Sequence, residues 1–285
     1  MSLIEFWVRL HKAIDILADH YGLSDQLGSY VKNLRLCYLG KVTGGYPDFS
    51  EAGIKDAYLL AYHPGHAYSY LNIFLNHEIG DKIIQNLDLS SSVGVLGAGA
   101  GAETLAFFYL LADRNVVGNN LSISLVDMED WSSQREVSLI QALKLLDKTF
   151  FPKKIKSFSY DLVSSEGTLF LKKFIPAHDL IICPAIFTEL PADSRNRTFI
   201  NIIFENMSRG AKILIVDQSK VKRFDDACIQ WARDNRMECL HMGNSYPLRV
   251  PDPPAQSFAD HILNGSNGLM PRKNYVFSSI LLRKI

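Results

Sequence analysis

Hydrophobic residues recur every three or four positions through the first part of the chain, which is the spacing of amphipathic α-helices. Residues 3–20 show it clearly, with Phe6, Leu10 and Ile14 on one face. Further helices are predicted over residues 24–39, 54–62 and 66–85. The pattern therefore predicts an N-terminal helical domain over residues 1–88, whose expected role is to shape or cover a substrate site.

The period changes after residue 90, where short continuous apolar runs alternate with helical segments. Seven runs predict strands, over residues 93–97, 121–126, 154–159, 179–183, 212–216, 237–242 and 275–282. Apolar strands separated by helices are typical of a parallel sheet that is covered on both faces. We therefore predict an α/β fold with a doubly wound, mostly parallel seven-stranded sheet over residues 89–285. A long loop over residues 244–274, rich in Pro and Gly, is expected to be functional.

Composition narrows the classes of protein that fit. The chain has 285 residues, 47% of them hydrophobic, and a net charge of +0, so neither a disordered chain nor a strongly basic nucleic-acid binder is indicated. The four cysteines lie far apart without a CxxC pair, which favours reduced thiols. The first residues resemble neither a signal peptide nor a membrane span. A soluble cytoplasmic protein without a membrane partner is expected.

Small residues join the first predicted strand to the following helix. Residues 97–102 read Gly-Ala-Gly-Ala-Gly-Ala, directly after an apolar strand and before Glu103. Such a turn lets backbone N–H groups and the positive end of a helix face a ligand that no side chain blocks. A flat, polar small molecule is the expected occupant.

Two acidic residues follow the next two strands. Asp127 ends the second strand, where a carboxylate can accept the hydroxyls of a ribose. Asp161 follows the third strand, where it can accept the exocyclic amine of adenine, while Met128 and Leu162 cover the two ring faces. The glycine loop and both acids together predict a nucleotide-type cofactor.

The order of these motifs over residues 90–285 resembles that of the class I S-adenosylmethionine-dependent methyltransferases. The resemblance implies S-adenosyl-L-methionine as cofactor, direct methyl transfer to an acceptor, and an antiparallel last strand that pairs with the sixth. The predicted cofactor-binding residues are Tyr62, Gly97, Ala98, Gly99, Gly101, Asp127, Met128, Asp161, Leu162 and Cys183.

The sequence departs from that family in two places. An acid often stands two residues before the first loop glycine, near the methionine ammonium, and here that position is Val95. Glu103, Tyr62 or backbone carbonyls are candidate replacements. The fourth strand ends in Cys183-Pro-Ala-Ile-Phe187 and lacks the Asn/Asp-Pro-Pro-Tyr pattern of enzymes that methylate base amino groups, which disfavours that acceptor.

The sequence indicates the acceptor site less clearly than the cofactor site. Residues 61–70 hold two histidines and three tyrosines, and in similar enzymes the segment before the glycine loop closes over the methionine end of the cofactor. The candidate substrate residues are His63, Tyr68, Phe187 and Glu189. For each of them, packing or helix capping is the alternative. No histidine spacing matches a metal motif, so no metal is expected, and no catalytic base is identified.

Two other functions stay open. Residues 97–102 also satisfy the GxGxxA pattern of an NAD(P)-dependent oxidoreductase, although Asp127 lies further from Gly97 than such sites expect. A non-catalytic S-adenosylmethionine sensor or a ribosome-associated factor is the third possibility, because Val95 replaces the usual acid. A small molecule, RNA and protein all stay open as the acceptor.

Overall fold

The computed structural model describes most of the chain. The described residues are 2–21, 27–38, 47–87, 90–116, 121–141, 154–185, 194–218, 229–230, 232–264 and 274–285. No helix within these ranges is both long enough and apolar enough to cross a membrane.

Among the described residues, five helices precede the sheet. They are α1 (Leu3–Tyr21), α2 (Leu27–Tyr38), α3 (Ala52–Ala61), α4 (His63–Leu75) and α5 (His77–Ile84). The long helix predicted over residues 66–85 is two helices, because Asn76 adopts an extended conformation with ψ 118°. Its side-chain oxygen accepts a hydrogen bond from the Glu78 N–H at 3.0 Å, which caps the N-terminus of α5.

In the part of the chain that the structure describes, seven strands form one sheet, as predicted. They are β1 (Ser92–Leu96), β2 (Ser122–Asp127), β3 (Lys154–Ser159), β4 (Leu180–Pro184), β5 (Lys212–Gln218), β6 (Met237–Arg249) and β7 (Asn274–Lys284). Their order in the sheet is β3-β2-β1-β4-β5-β7-β6. The first five strands are parallel, while β7 runs antiparallel to both β5 and β6. The predicted fold class, including the antiparallel last strand, is confirmed.

The described helices after β1 include α6 (Ala102–Asp113), α7 (Ser132–Arg135, continued by a π-helical turn over Glu136–Gln141), α8 (Ser165–Phe174), α9 (Ser194–Asn206) and α10 (Phe258–Asn264). The stretch predicted as a loop over residues 244–274 differs from that expectation. This stretch contains the end of β6 and the whole of α10. The helix α10 forms because its apolar side chains pack against the N-terminal helices.

Both faces of the sheet carry a hydrophobic core. One face packs against α1, α4 and α6, with Phe6, Phe74 and Phe107 fully buried. The other packs against α8 and α9, where Phe199 and Phe204 are fully buried. Two covered faces explain why β4 and residues 213–216 of β5 are continuous apolar runs, whereas β3, at the edge of the sheet, is largely exposed. The division at residue 88 into two domains stays a prediction.

A third core joins α10 to the N-terminal helices. Ile262 and Leu263 of α10 are buried against α2 and α3. The segment before α10 is fixed to α1 as well, since the Trp7 Nε1–H donates to the Asp252 carbonyl oxygen at 2.9 Å. The insertion between β6 and β7 therefore folds onto helices that are far away in sequence.

Candidate functional site

The glycine loop is held against the end of the neighbouring strand β2. The backbone N–H groups of Gly97 and Ala98 both donate to the Val126 carbonyl oxygen, at 2.8 and 3.0 Å. Gly97, Gly99 and Gly101 have φ angles of 76°, 45° and 86°. These left-handed conformations favour glycine, and they let the chain turn from β1 into α6 within a few residues.

Two of these glycines face different surroundings. A Cβ atom added at Gly99 would meet no atom within 4 Å, whereas one added at Gly101 would lie 3.1 Å from the Leu139 side chain. Gly99 therefore borders open space, and Gly101 borders the core. A ligand that lies on the loop meets backbone at Gly99 and no side chain.

Asp127, at the end of β2, holds the loop through its carboxylate. Its Oδ2 accepts the Gly99 N–H at 2.8 Å, and its Oδ1 accepts the Glu129 N–H and the Trp131 Nε1–H, each at 3.2 Å. A carboxylate offers about four lone-pair sites. The three observed bonds leave capacity for one further donor, such as a ribose hydroxyl. Sequence reasoning identified Asp127 but not its bond to the glycine loop.

Asp161 lies at the same edge of the sheet. Strands β2 and β3 are parallel neighbours, and the Tyr160 N–H donates to the Asp127 carbonyl oxygen at 2.8 Å. The Asp161 side chain is exposed, and its Oδ1 accepts the Val163 N–H at 3.1 Å. The structure thus brings the two predicted acids to adjacent strand ends.

The two residues predicted to cover an adenine ring differ in exposure. Met128 is 61% exposed, which is unusual for a large apolar side chain, and Leu162 is buried. The backbone at Met128 is fixed, since the Ser159 Oγ–H donates to its carbonyl oxygen at 2.8 Å. An exposed methionine beside a carboxylate offers an apolar surface to a flat ring.

Two buried ionisable side chains, Arg135 and Glu103, lie close to the glycine loop. The Arg135 Nε–H donates to the Gly99 carbonyl oxygen at 2.8 Å. Glu103, in the first turn of α6, is 3% exposed, and burial raises its pKa to about 7 against the opposing effects of nearby donors and Arg135. Val95 is buried in the core, so no charge stands at the position of the family's acid. Sequence reasoning missed Arg135, which belongs to no motif.

Helix α3 is fastened to the segment that follows β2. The Lys55 Nζ donates to the Asp130 carbonyl oxygen at 2.6 Å, and the Gln134 Nε2 donates to the Asp56 Oδ1 at 2.9 Å. These two bonds hold α3 against the segment that follows Asp127.

Aromatic side chains of α3, of α4 and of the residues before α3 pack next to this contact. The Tyr58 ring lies 5.5 Å from the Trp131 ring and 5.7 Å from the Phe49 ring. The Tyr58 hydroxyl and the His66 Nδ1 are 3.0 Å apart, at hydrogen-bonding distance. Phe49, Tyr58 and His66 are each half-buried. We call these three side chains the aromatic rim.

The predicted residues of the preceding helices are buried. Tyr62 stacks on Tyr58 with ring centroids 5.8 Å apart, and Tyr68 meets Trp7 edge-to-face at 5.6 Å. His63 is fully buried, and burial lowers its pKa to about 3. A ligand can contact these buried side chains only if the packing of α3 and α4 leaves a path to them. Their roles in binding stay predictions.

The remaining predicted residues follow β4. Cys183 is buried at its end, where burial, and secondarily Asp217, raises the pKa of the thiol. It packs on the sheet face opposite to α4. Phe187 and Glu189 lie outside the described residues. Within the described ranges, no group of three or more His, Cys, Asp or Glu is arranged to hold a metal ion.

The sequence matches no family model and no curated protein sequence. Among solved structures, the chain is similar to a candidate RNA methyltransferase of Pyrococcus horikoshii, with 14% sequence identity and a TM-score of 0.44 over 78% of this chain and 85% of that one. It is also similar to an S-adenosylmethionine-dependent methyltransferase of Methanosarcina mazei (13%, 0.42, over 72% of this chain and 97% of that one). A third is a precorrin-6y C5,15-methyltransferase of Geobacter metallireducens (10%, 0.42, 74% and 90%).

Proposed function

We propose that this chain is an S-adenosylmethionine-dependent methyltransferase. The observation that carries the proposal is the bond between the Gly99 N–H and the Asp127 carboxylate, which joins the open glycine loop to the acid that we propose for the ribose. Asp161 and the exposed Met128 stand at the next strand end. The antiparallel β7 between β5 and β6 agrees with the resemblance drawn from the motif order.

The residues present fit an adenosine and a short charged tail. Asp127 keeps one acceptor site for a ribose hydroxyl, Asp161 can accept an adenine amine, and Gly99 leaves the loop backbone accessible. Glu103 is the buried acid nearest in sequence to the loop, and it can face the methionine ammonium in place of the missing acid at Val95. S-adenosylmethionine, when bound, supplies an electrophilic methyl group on a sulfonium. The chain then has to orient the acceptor and exclude water, which accounts for much of the acceleration in such reactions.

The oxidoreductase alternative is disfavoured by the sheet. A dinucleotide-binding sheet has the order 3-2-1-4-5-6 with its strands mostly parallel. Here β7 enters antiparallel between β5 and β6. The distance along the chain from the loop to Asp127 points the same way.

Calorimetry tests the cofactor. S-adenosylhomocysteine is expected to bind with micromolar affinity, and NADH is expected not to bind. Asp127→Ala is expected to weaken S-adenosylhomocysteine binding about 100-fold, as when a hydrogen bond to a charged group is lost together with the loop's anchor. The matched control is Asp130→Ala, which changes an exposed acid of the same segment. Binding of NADH, or unchanged affinity in Asp127→Ala, would overturn the assignment.

A transfer experiment separates an enzyme from a sensor. Extract that has been incubated with the protein and methyl-labelled S-adenosylmethionine is divided and treated with nuclease, protease or neither, and the labelled fraction is followed. An enzyme transfers label into one of these fractions or into a small molecule. Binding of S-adenosylhomocysteine without any transfer would favour the sensor.

A further inference from the structure

A buried cation of α3 makes its contacts with three consecutive residues after β2. Lys55 is 9% exposed, and its Nζ donates to the Asp130 carbonyl oxygen at 2.6 Å. The same nitrogen lies 3.9 Å from the Glu129 Oε2 and 5.8 Å from the centroid of the Trp131 ring. Burying an ammonium group costs free energy unless partners surround it, and here residues 129–131 supply those partners.

Two of these three residues also hold the carboxylate that we propose for the ribose. The Glu129 N–H and the Trp131 Nε1–H each donate to the Asp127 Oδ1 at 3.2 Å. That distance is at the long end of the range for such hydrogen bonds, so a small displacement of the segment weakens both. A side chain that fixes residues 129–131 therefore also fixes the orientation of the Asp127 carboxylate.

Apolar packing docks α3 at the same place. Leu59, Ala100 and Trp131 form a small buried cluster, to which the glycine loop contributes Ala100. Two rings of the aromatic rim, those of Phe49 and Tyr58, lie 5.2 and 5.5 Å from the Trp131 ring. Burying a leucine side chain is worth about 2 kcal/mol. We therefore expect α3 to stay docked when one charge is removed.

A second bond between α3 and the residues after β2 offers a direct comparison. The Gln134 Nε2 donates to the Asp56 Oδ1 at 2.9 Å, and Gln134 is as buried as Lys55. This bond also fastens α3, but Gln134 lies in α7, beyond the two donors that hold Asp127. If docking of α3 were all that mattered for the cofactor site, loss of either bond would have the same effect.

We infer that Lys55 is a positioning residue for the cofactor site, which fixes residues 129–131 and through them the Asp127 carboxylate that accepts a ribose hydroxyl. This inference rests on the proposed function. An apolar side chain of similar length fills the same space but cannot bind the Asp130 carbonyl oxygen, so the charge sets the geometry more than the stability. Coupling between two events is reciprocal, so binding of the ribose also tightens the docking of α3.

The test compares S-adenosylhomocysteine with its 2′,3′-dideoxyribose analogue, which lacks both ribose hydroxyls. Calorimetry measures the affinity of each ligand for the full chain as wild type and as Lys55→Met. Wild-type protein is expected to bind the analogue about 30-fold more weakly, as when a hydrogen bond to a charged group is lost. Lys55→Met is expected to weaken S-adenosylhomocysteine about tenfold but the analogue less than about twofold, because the ribose contact alone is impaired.

Gln134→Met is the matched control, because it removes the other bond between α3 and this region. It is expected to bind both ligands within about twofold of wild type, with a loss of stability in urea similar to that of Lys55→Met. Equal weakening of both ligands in Lys55→Met, unchanged affinity of that variant for S-adenosylhomocysteine, or the same selective loss in Gln134→Met overturns the positioning role and leaves the methyltransferase standing. Failure of S-adenosylhomocysteine to bind wild-type protein overturns the proposed function itself.

Hydrogen exchange on wild-type protein tests the reciprocal effect and needs no variant. At equal saturation, S-adenosylhomocysteine is expected to slow amide exchange in α3 about tenfold more than the analogue does. Exchange in α8, which packs on the other face of the sheet, is expected to slow equally with both ligands. Equal protection of α3 by the two ligands overturns the coupling.

Discussion

The two ends of the candidate site are built in different ways. The end over β2 and β3 is made by backbone and two carboxylates, with Gly99 and Asp127 bonded to each other at 2.8 Å. The end toward β7 is made by aromatic rings from α3, α4 and β7, among which Tyr58 and His66 form a polar pair. Backbone groups stay the same whatever side chains surround them, so they suit a ligand that does not vary. Aromatic side chains can be replaced by others that fit a different acceptor. Under the proposed function, the first end would hold the cofactor and the second would face the acceptor.

The largest expected effect concerns Glu103, the buried acid that follows the glycine loop. The folded-state pKa of Glu103 is raised to about 7 from 4.5, so its contribution to stability is full below pH 4.5 and is lost as the pH rises through 7. This amounts to about 3 kcal/mol. Glu103→Gln is expected to remove that loss, so that the variant is the more stable protein at pH 8.

Urea unfolding of wild-type protein and Glu103→Gln at pH 5 and pH 8 measures this difference. Glu136→Gln, which changes an exposed acid next to Arg135, is the control and should follow the wild type. Parallel pH dependence in wild type and Glu103→Gln would show that this carboxyl is not the buried titrating group.

A second prediction separates cofactor contact from folding at the same end. Gly99 and Gly101 both have positive φ, so an alanine at either position costs about 1 kcal/mol of backbone strain. Gly99→Ala places its methyl group in open space and is expected to weaken S-adenosylhomocysteine binding about tenfold. Gly101→Ala presses on Leu139 and is expected to lower stability by about 2 kcal/mol.

Calorimetry and urea unfolding on both glycine variants measure the two effects. The result that contradicts the assignment is the reverse pattern, with Gly99→Ala binding normally and Gly101→Ala losing affinity without losing stability.

The smallest expected effect lies where the two ends meet. Trp131→Phe keeps a ring beside Tyr58 but removes the indole N–H that donates to Asp127. The loss of one such bond is worth about 1 kcal/mol, or roughly fivefold in S-adenosylhomocysteine affinity. Trp7→Phe, which removes an indole N–H bonded to Asp252, is the control. A loss as large as that of Asp127→Ala would mean that Trp131, and not the carboxylate, holds the ligand.

Local chain order explains which residues could be predicted. Gly99 and Asp127 follow consecutive strands of one parallel sheet, and the ends of neighbouring parallel strands meet by geometry alone. The same reasoning places Asp161. The contact between Tyr58 and His66 was not predicted, because aromatic residues at helical spacing are typical of a core.

The insertion between β6 and β7 shows a second limit. Its Pro and Gly content indicates a loop, yet α10 forms there because Ile262 and Leu263 are buried against α2 and α3. Those partners lie more than half the chain away in sequence, so no local sequence pattern could predict the helix. Tertiary contact outweighs local propensity at this point.

The sequence by itself determined the sheet, the helix α6 after its first strand and the glycine loop with its two acids, because periodicity and strand-end chemistry act between neighbouring segments. The tertiary structure alone decided that α3 is fastened over the segment after β2, that Glu103 and Arg135 lie buried near the loop, and that Tyr58 and His66 meet beside it. Burial, and the pairing of side chains from distant elements, depend on how those elements pack. A pattern along the chain carries no record of that packing.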